Sequence, residues 1–291
     1  MAIDLKSSRA RSGRPAHAKV NLWLNVVGRR PDGYHLLDSL VAFVDLADTV
    51  EVAVGDRLAL ELDGPFAPTL QADPDNLVLK AARLLADRAG VSPRASIRLA
   101  KRIPVAAGLG GGSADAAAVL QELVDLWRVA LPEDELFDLA ARLGADVPMC
   151  LAGRPAFVSG VGERLLPAPP LPPCAVLLVN PGVGLATRDV FSARPGPFSP
   201  SRPPPQGWQG LEDFAALLAG RGNDLTAAAI SLQPVVGRVL QTLEGSGARH
   251  VAMSGSGATC FALFDGPEPA EAVAAALPAA WWRHVGRFVA A

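Results

Sequence analysis

Residues 104–113, Pro-Val-Ala-Ala-Gly-Leu-Gly-Gly-Gly-Ser, place four glycines within five positions just ahead of an alanine-rich helical pattern. Glycine reaches backbone conformations closed to other residues and leaves no side chain to hold a ligand away. Free N–H groups at a helix start behind such a loop form an anion site, and a triphosphate suits it. Ser113 is placed to cap that helix and Asp115 to complement its positive first turn. The alternative is a tight turn that lets a helix pack closely. Two better-known loops are excluded. GxxxxGK[ST] needs a lysine that the chain does not supply. The dinucleotide fingerprint GxGxxG has Ser113 in place of its third glycine, and no strand with a terminal acid follows about twenty residues on. Three further places carry reactive side chains. Asp146 lies between Gly144 and Pro148, in a turn that aims it at a cleft or leaves it as a cap or surface charge. Lys19 and Asn21 are two apart on a strand pattern and share a face, commonly the exposed one. Tyr34, the chain's one tyrosine, follows a turn and precedes His35, whose plainer reading is a loop histidine.

These side chains need elements to hold them. Residues 18–27 alternate as a strand, and Gly28-Arg29-Arg30-Pro31-Asp32-Gly33 is dense in turn formers. Strands are expected at 36–46, 49–54, 58–62 and 95–100. Helices are expected at 76–89 (Asp75 or Asn76 as N-cap, Gly90 as stop), from Ala114 to Trp127, and at 133–143. A second half brings a buried strand at 175–180, helices at 211–219 and 226–243, strands at 249–253 and 259–264, and a closing helix and strand. Residues 193–210 are rich in proline and glycine and read as a surface excursion. Mixed strands and helices in both halves predict an α+β protein of two lobes, residues 15–153 and 154–291, behind a disordered basic tail at 1–14.

Composition narrows the classes. Of 291 residues half are hydrophobic and 19% charged, and the net charge is −2, so no bulk affinity for nucleic acid or anionic membrane is expected. Cys150, Cys174 and Cys260 are too few and too scattered for a disulfide framework and read as reduced cytosolic thiols. The tail's Lys6, Arg9, Arg11 and Arg14 precede no apolar stretch, and the C-terminal apolar run is broken by Glu271, Pro278 and Arg283. A cytoplasmic protein, monomer or weak homodimer, is expected.

Taken with its flanks, the stretch from Pro104 to Ala118 resembles the second motif of the GHMP kinases, the family of galactokinase, homoserine, mevalonate and phosphomevalonate kinases. Lys19-Val20-Asn21-Leu22 and Gly28 to His35 are similar to the first motif of one branch, and Gly144-Ala145-Asp146-Val147-Pro148, Gly160-Val161-Gly162-Glu163 and Asn223-Asp224-Leu225 also resemble segments of that branch. Ser254-Gly255-Ser256-Gly257-Ala258 resembles the third motif. The motifs keep family order from about residue 16 to 264. The resemblance implies an N-terminal lobe like ribosomal protein S5 domain 2, a ferredoxin-like C-terminal lobe and an active site between them. It also implies transfer of the γ-phosphoryl group of ATP, with Mg²⁺, to the 2-hydroxyl of a cytidine diphosphate-linked methylerythritol, on the non-mevalonate route to isoprenoid precursors.

The same resemblance implies single roles. Asp146 is the general base and Lys19 its partner, with Asn21 hydrogen-bonding substrate beside them. Tyr34 stacks on the cytosine and His35 hydrogen-bonds it, a pairing that suits a nucleobase. Thr187 and Phe191 fall on the cytidine side, although Phe191 equally suits a core. Pro104, Val105, Ala106, Ala107, Gly108, Leu109, Gly110, Gly111, Gly112, Ser113 and Ala114 hold the nucleotide's phosphates, with Asn76 and Lys101 near adenine and ribose. Ser113 is the one candidate metal ligand, since the glutamate that other members add is not assigned in this sequence, and magnesium is then expected to arrive held mainly by ATP and water. Ala106 and Ala107 replace glycines and Ala114 replaces a serine, changes expected to stiffen the loop without blocking phosphate. Two readings compete: another GHMP kinase, disfavoured by Gly28 to His35, and a non-catalytic nucleotide sensor, disfavoured by Lys19 and Asp146.

Overall fold

Period-two patterning at the start of the chain gives two long antiparallel strands, β1 (Arg14–Arg29) and β2 (His35–Ala53). In the computed structural model, which describes residues 13–70 and 75–290, they are joined by β3 (Ala59–Asp63) and β4 (Ser96–Ala100), which pair in parallel. Between these two strands runs α1 (Leu77–Ala89). Asn76 caps it by accepting the Val78 N–H, and Gly90 stops it in the left-handed region at φ 66°. Next come α2 (Gly111–Trp127), α3 (Glu133–Leu143) with three acids in its first turn, and the short α4 (Val147–Ala152). β5 (Ala156–Gly160) and β6 (Arg164–Pro167) complete a six-stranded sheet. β2 is its hub. β1 runs along one edge, and the other edge takes β5 at residues 37–41 and β4 at residues 49–53.

The second sheet opens with β7 (Ala175–Asn180). Helices α5 (Thr187–Ala193), α6 (Gly210–Arg221), α7 (Thr226–Leu232) and α8 (Val235–Glu244) lead to β8 (His250–Met253) and β9 (Cys260–Phe264). Then α9 (Pro267–Ala276) and β10 (Trp282–Arg287) close the chain. The sheet order β10-β7-β9-β8, antiparallel throughout, is that of a ferredoxin-like lobe. No helix among the described residues is long and apolar enough to cross a membrane.

Both lobes bury apolar faces against helices, and against each other. Val78, Leu85, Ile97, Leu99, Leu120 and Leu139 fill the space between the first sheet and α1 to α3. Leu177, Val179, Ala262 and Phe264 pack on Ala228, Val236, Val239 and Ala270 on the far side of the second sheet. Between the sheets, Val20, Leu22, Leu40 and Val44 meet Val176, Leu178, Phe261 and Leu263. Each such Val, Leu, Ile or Phe side chain contributes about 1.5–3 kcal/mol on burial. β1 shows how the site side chains are selected. Ala18, Val20 and Leu22 face the inter-sheet core, so Lys19 and Asn21 face the opposite way. A register shift between Asn21 and Trp23 then swaps the faces, which puts Trp23 in that same core and Leu24 and Val26 in the C-terminal one.

Several expectations are corrected. The strands expected at 36–46 and 49–54 are one, because Asp48, which reads as a turn residue, is fully buried with a lysine partner. The helix expected at 226–243 is two, divided at Pro234, whose ring cannot continue a helix. β5 and β6 lie past residue 153 yet pair within the first sheet, so the change of sheet falls between Pro167 and Ala175 rather than near 153. Of the expected tail, residues 1–12 lie outside those described. Arg14 instead starts β1, with Nε 2.8 Å from Glu122 Oε1. The proline-rich segment is irregular and lies over β1, where the Ser199 N–H reaches Val26 O at 2.9 Å.

Candidate active site

The glycine stretch lies where the two lobes touch. The Lys19 N–H donates to Leu109 O at 2.9 Å and the Thr259 N–H to Ala107 O at 3.2 Å. Ser254, buried in the C-terminal lobe, receives the Asn21 N–H and donates to Gly108 O. Two glycines are required by contact. At Gly108 (φ 77°) a Cβ would lie 2.7 Å from the carbonyl oxygens of both Ser254 and Gly257. At Gly110 (φ 64°) it would lie 2.6 Å from Lys19 Cγ. Helix α2 begins at Gly111 rather than Ala114, with Gly110 as its left-handed N-cap, and its first bond runs from Ala114 N–H to Gly110 O. The N–H groups of Gly111, Gly112 and Ser113 precede that bond, so they have no partner within the helix. They border a cleft of about 850 Å³.

Ser113 makes no capping bond, contrary to expectation, because the helix starts two residues before it; its hydroxyl borders the cleft. Asp115 does not serve the first turn from the surface. It is 2% exposed, with Oδ2 2.7 Å from Lys101 Nζ. Burial foremost pushes its carboxyl well above the usual carboxylate range, against the pull of Lys101. Lys101 itself is 2% exposed and held between Asp115 and Asp48, so its ammonium is not free to meet a ribose. Asn76 spends its side-chain oxygen on capping α1 and still borders the cleft, as do Pro104 and Val105. Ala106 holds φ 52°, a strained value for a residue with a Cβ.

Across the cleft, Lys19 Nζ lies 3.3 Å from Asp146 Oδ2 and 2.5 Å from Asn21 Oδ1. Lys19 is 6% exposed, while the Asp146 side chain is 39% exposed. Asp146 stands at the N-cap of α4 yet its side chain bonds none of the helix N–H groups, so its carboxylate remains turned to Lys19 and the cleft. Asn21 is fixed from its amide side by Ser39 Oγ at 2.9 Å, and Ser39 in turn donates to Trp23 O. Gly162 backs Asp146 from behind: a Cβ there would lie 3.3 Å from Ala145 O. Ser39 was invisible in the sequence, being one serine inside an apolar strand.

At the far end, Thr187 and Phe191 stand one turn apart on α5 and both border the cleft. Thr187 Oγ1 lies 3.0 Å from Ser256 Oγ of the C-terminal glycine turn. Phe191 is stacked by His35, with ring centroids 4.9 Å apart and 23° between planes. His35 meets the cleft through Phe191 rather than directly, and Tyr34, 64% exposed, stands outside its wall. Burial, then the charges of Arg29 and Arg194, hold the His35 imidazolium below its usual range. Asn223 had a motif but no role in the sequence. Its amide donates to Met253 O and Gly255 O, fixing the C-terminal glycine turn against the site. For a metal, no group of three or more His, Cys, Asp or Glu side chains among the described residues is placed to hold one. The oxygens of Ser113 and Asp146 on the cleft wall suit a hard cation that a triphosphate brings with it.

A glycine loop at the junction of an S5-like lobe and a ferredoxin-like lobe defines a two-lobed kinase of the GHMP class. GHMP kinases N terminal domain matches residues 76–154, and GHMP kinases C terminal matches residues 207–283. The chain is 54% identical over 274 residues to the 4-diphosphocytidyl-2-C-methyl-D-erythritol kinase of Paramagnetospirillum magneticum, covering 92% of this chain and 95% of that one. It is 50% identical to the enzyme of the same name from Ruegeria pomeroyi, covering 94% and 97%. A solved 4-(cytidine 5'-diphospho)-2C-methyl-D-erythritol kinase superposes with TM-score 0.76 at 39% identity, covering 94% of this chain and 98% of that chain. Homoserine kinase from Cytophaga hutchinsonii (TM-score 0.71, 19% identity, 98% and 97% covered) shares the fold. The chain therefore belongs to the GHMP kinase family and, within it, to the 4-diphosphocytidyl-2-C-methyl-D-erythritol kinases. It is an enzyme, an ATP-using kinase of small molecules.

Proposed function

We propose that the enzyme moves the γ-phosphoryl group of ATP to the 2-hydroxyl of 4-diphosphocytidyl-2-C-methyl-D-erythritol. The names of its relatives support the acceptor. The observation that carries the chemistry is the Lys19–Asp146 pair, 3.3 Å apart, facing the glycine loop across one cleft. Phosphoryl transfer asks the protein mainly for alignment and charge neutralisation. The N–H groups of Gly111, Gly112 and Ser113 hold the triphosphate. Asp146, the more exposed partner, takes the proton from the acceptor hydroxyl, and Lys19 with Asn21 keeps that carboxylate and hydroxyl aligned. Ser113 Oγ would hold a magnesium ion carried by the nucleotide, and the ion neutralises charge on the phosphates. Phe191, His35, Tyr34 and Thr187 receive the cytidine end. Turnover measured across this acceptor, mevalonate, homoserine and a sugar decides the matter. Product from the cytidine compound alone is expected. Turnover of mevalonate instead, or tight ATP binding with no product from any acceptor, overturns it.

A further inference from the structure

The glycine loop starts and ends on a buried charge cluster that the scheme above does not use. Lys101 Nζ lies 2.7 Å from Asp115 Oδ2 and still closer to Asp48 Oδ2. All three residues are at most 2% exposed. Asp48, inside β2, turns its other oxygen to the N–H groups of Arg102 at 2.5 Å and Ile103 at 2.9 Å, the two residues that lead into the loop. Asp115 stands near the start of α2, the helix that leaves the loop. One ammonium thus ties the loop's leading and trailing ends to each other and to the sheet. The backbone runs close above it, since a Cβ on Gly111 would lie 3.4 Å from Nζ. Asp115 Oδ1 has no hydrogen-bond partner, so the bond to Lys101 is what holds this carboxylate in place. Two carboxyl groups buried this close would drive each other apart or out of ionisation without the cation between them.

We propose that Lys101 is the positioning residue of the phosphate loop: its ammonium, by bonding Asp48 and Asp115 together, fixes the first N–H groups of α2 at the depth that the triphosphate needs. The proposal rests on the reading of that loop as the triphosphate site. Lys101 borders the cleft, but its ammonium is taken up by the two carboxyl groups, so it acts through the loop. Its removal therefore changes ATP affinity and leaves the acceptor's affinity alone.

The test is steady-state kinetics in both substrates, with calorimetric ATP titration and thermal melts, on the wild type and on Lys101→Met, Asp115→Ala and Asp115→Asn. Asp115→Ala leaves a neutral Lys101–Asp48 pair, so it decides the question even if Lys101→Met does not fold. In Lys101→Met and Asp115→Ala, KM for ATP is expected to rise about tenfold or more while the acceptor KM stays within about twofold. Asp115→Asn, whose amide oxygen still accepts from Nζ, is expected to restore the ATP KM. A lowered melting temperature with an unchanged ATP KM would mean a merely structural role and overturns the proposal, as does an equal rise in both KM values. A wild-type enzyme that does not bind ATP would overturn the triphosphate reading instead, a result visible before any variant is compared.

Discussion

Asp146 owes its position to a helix start that it does not cap, and Lys19 to a strand face that the core rejects. If Asp146 removes the acceptor's proton, Asp146→Asn keeps the shape and loses the base. kcat is expected to fall about 10²-fold or more, with the calorimetric Kd for ATP unchanged. A variant with near-normal kcat would leave Asp146 a positioning role only. At the other end, Tyr34→Ala is expected to raise KM for the cytidine substrate while kcat changes little; an unchanged KM would take Tyr34 out of the base-binding surface. Both pairs were legible as residue types at given spacings. What the sequence did not carry was their support. The resemblance put Lys101 near adenine and ribose, but its ammonium is taken up by Asp48 and Asp115, 53 and 14 residues away along the chain. Ser39 and Asn223 act through hydrogen bonds to residues distant along the chain, which no periodicity encodes.

The elements that position the site were read well where the pattern was long. β1, α1 and α3 stand close to their expected ranges because their apolar faces repeat over several turns or pleats, and β7 because it is a continuous apolar run bounded by Pro181-Gly182. The elements that went unread, α4, β5, β6 and α5, have four to seven residues each, too short for a period to declare itself. Two of them matter most, since α4 presents Asp146 and α5 presents Thr187 and Phe191. The glycine loop was read as a loop for one turn too long, because Gly111 and Gly112 are poor helix formers that tertiary contacts hold helical. Its geometry gives a test at this scale. Gly110→Ala forces a Cβ into the Lys19 stem at a positive φ. We expect kcat to fall at least about tenfold through displaced Lys19, with ATP affinity reduced less and the far-UV circular dichroism spectrum unchanged. Normal kcat would show that the Lys19 stem has room to yield.

At the scale of the whole molecule, the inter-sheet core joins the two lobes, so their stabilities are linked and an ionisable group in one affects both. His250, on β8 against Phe261, is such a group. It is 9% exposed, its Nε2 lacks a hydrogen-bond partner, and burial pushes its pKa down to about 4. The unfolded chain takes up this proton near pH 6.5 and the folded one only near pH 4, so His250 lowers stability as pH falls through that window, by about 2 kcal/mol at pH 5. Asp115 acts with the opposite sign. Burial raises its carboxyl, so the folded state keeps a proton that the unfolded state loses, and its contribution fades as pH rises. The net profile of the wild type therefore mixes two opposed terms, and a single curve would not resolve them. Comparison with His250→Leu does, because Asp115 is common to both chains and cancels. Urea unfolding at pH 7 and pH 5 should show the wild type losing about 2 kcal/mol more than the variant over that interval. Equal losses in the two proteins would mean that His250 gains its proton in the folded state as readily as in the unfolded one, and so that its burial against Phe261 does not depress its pKa.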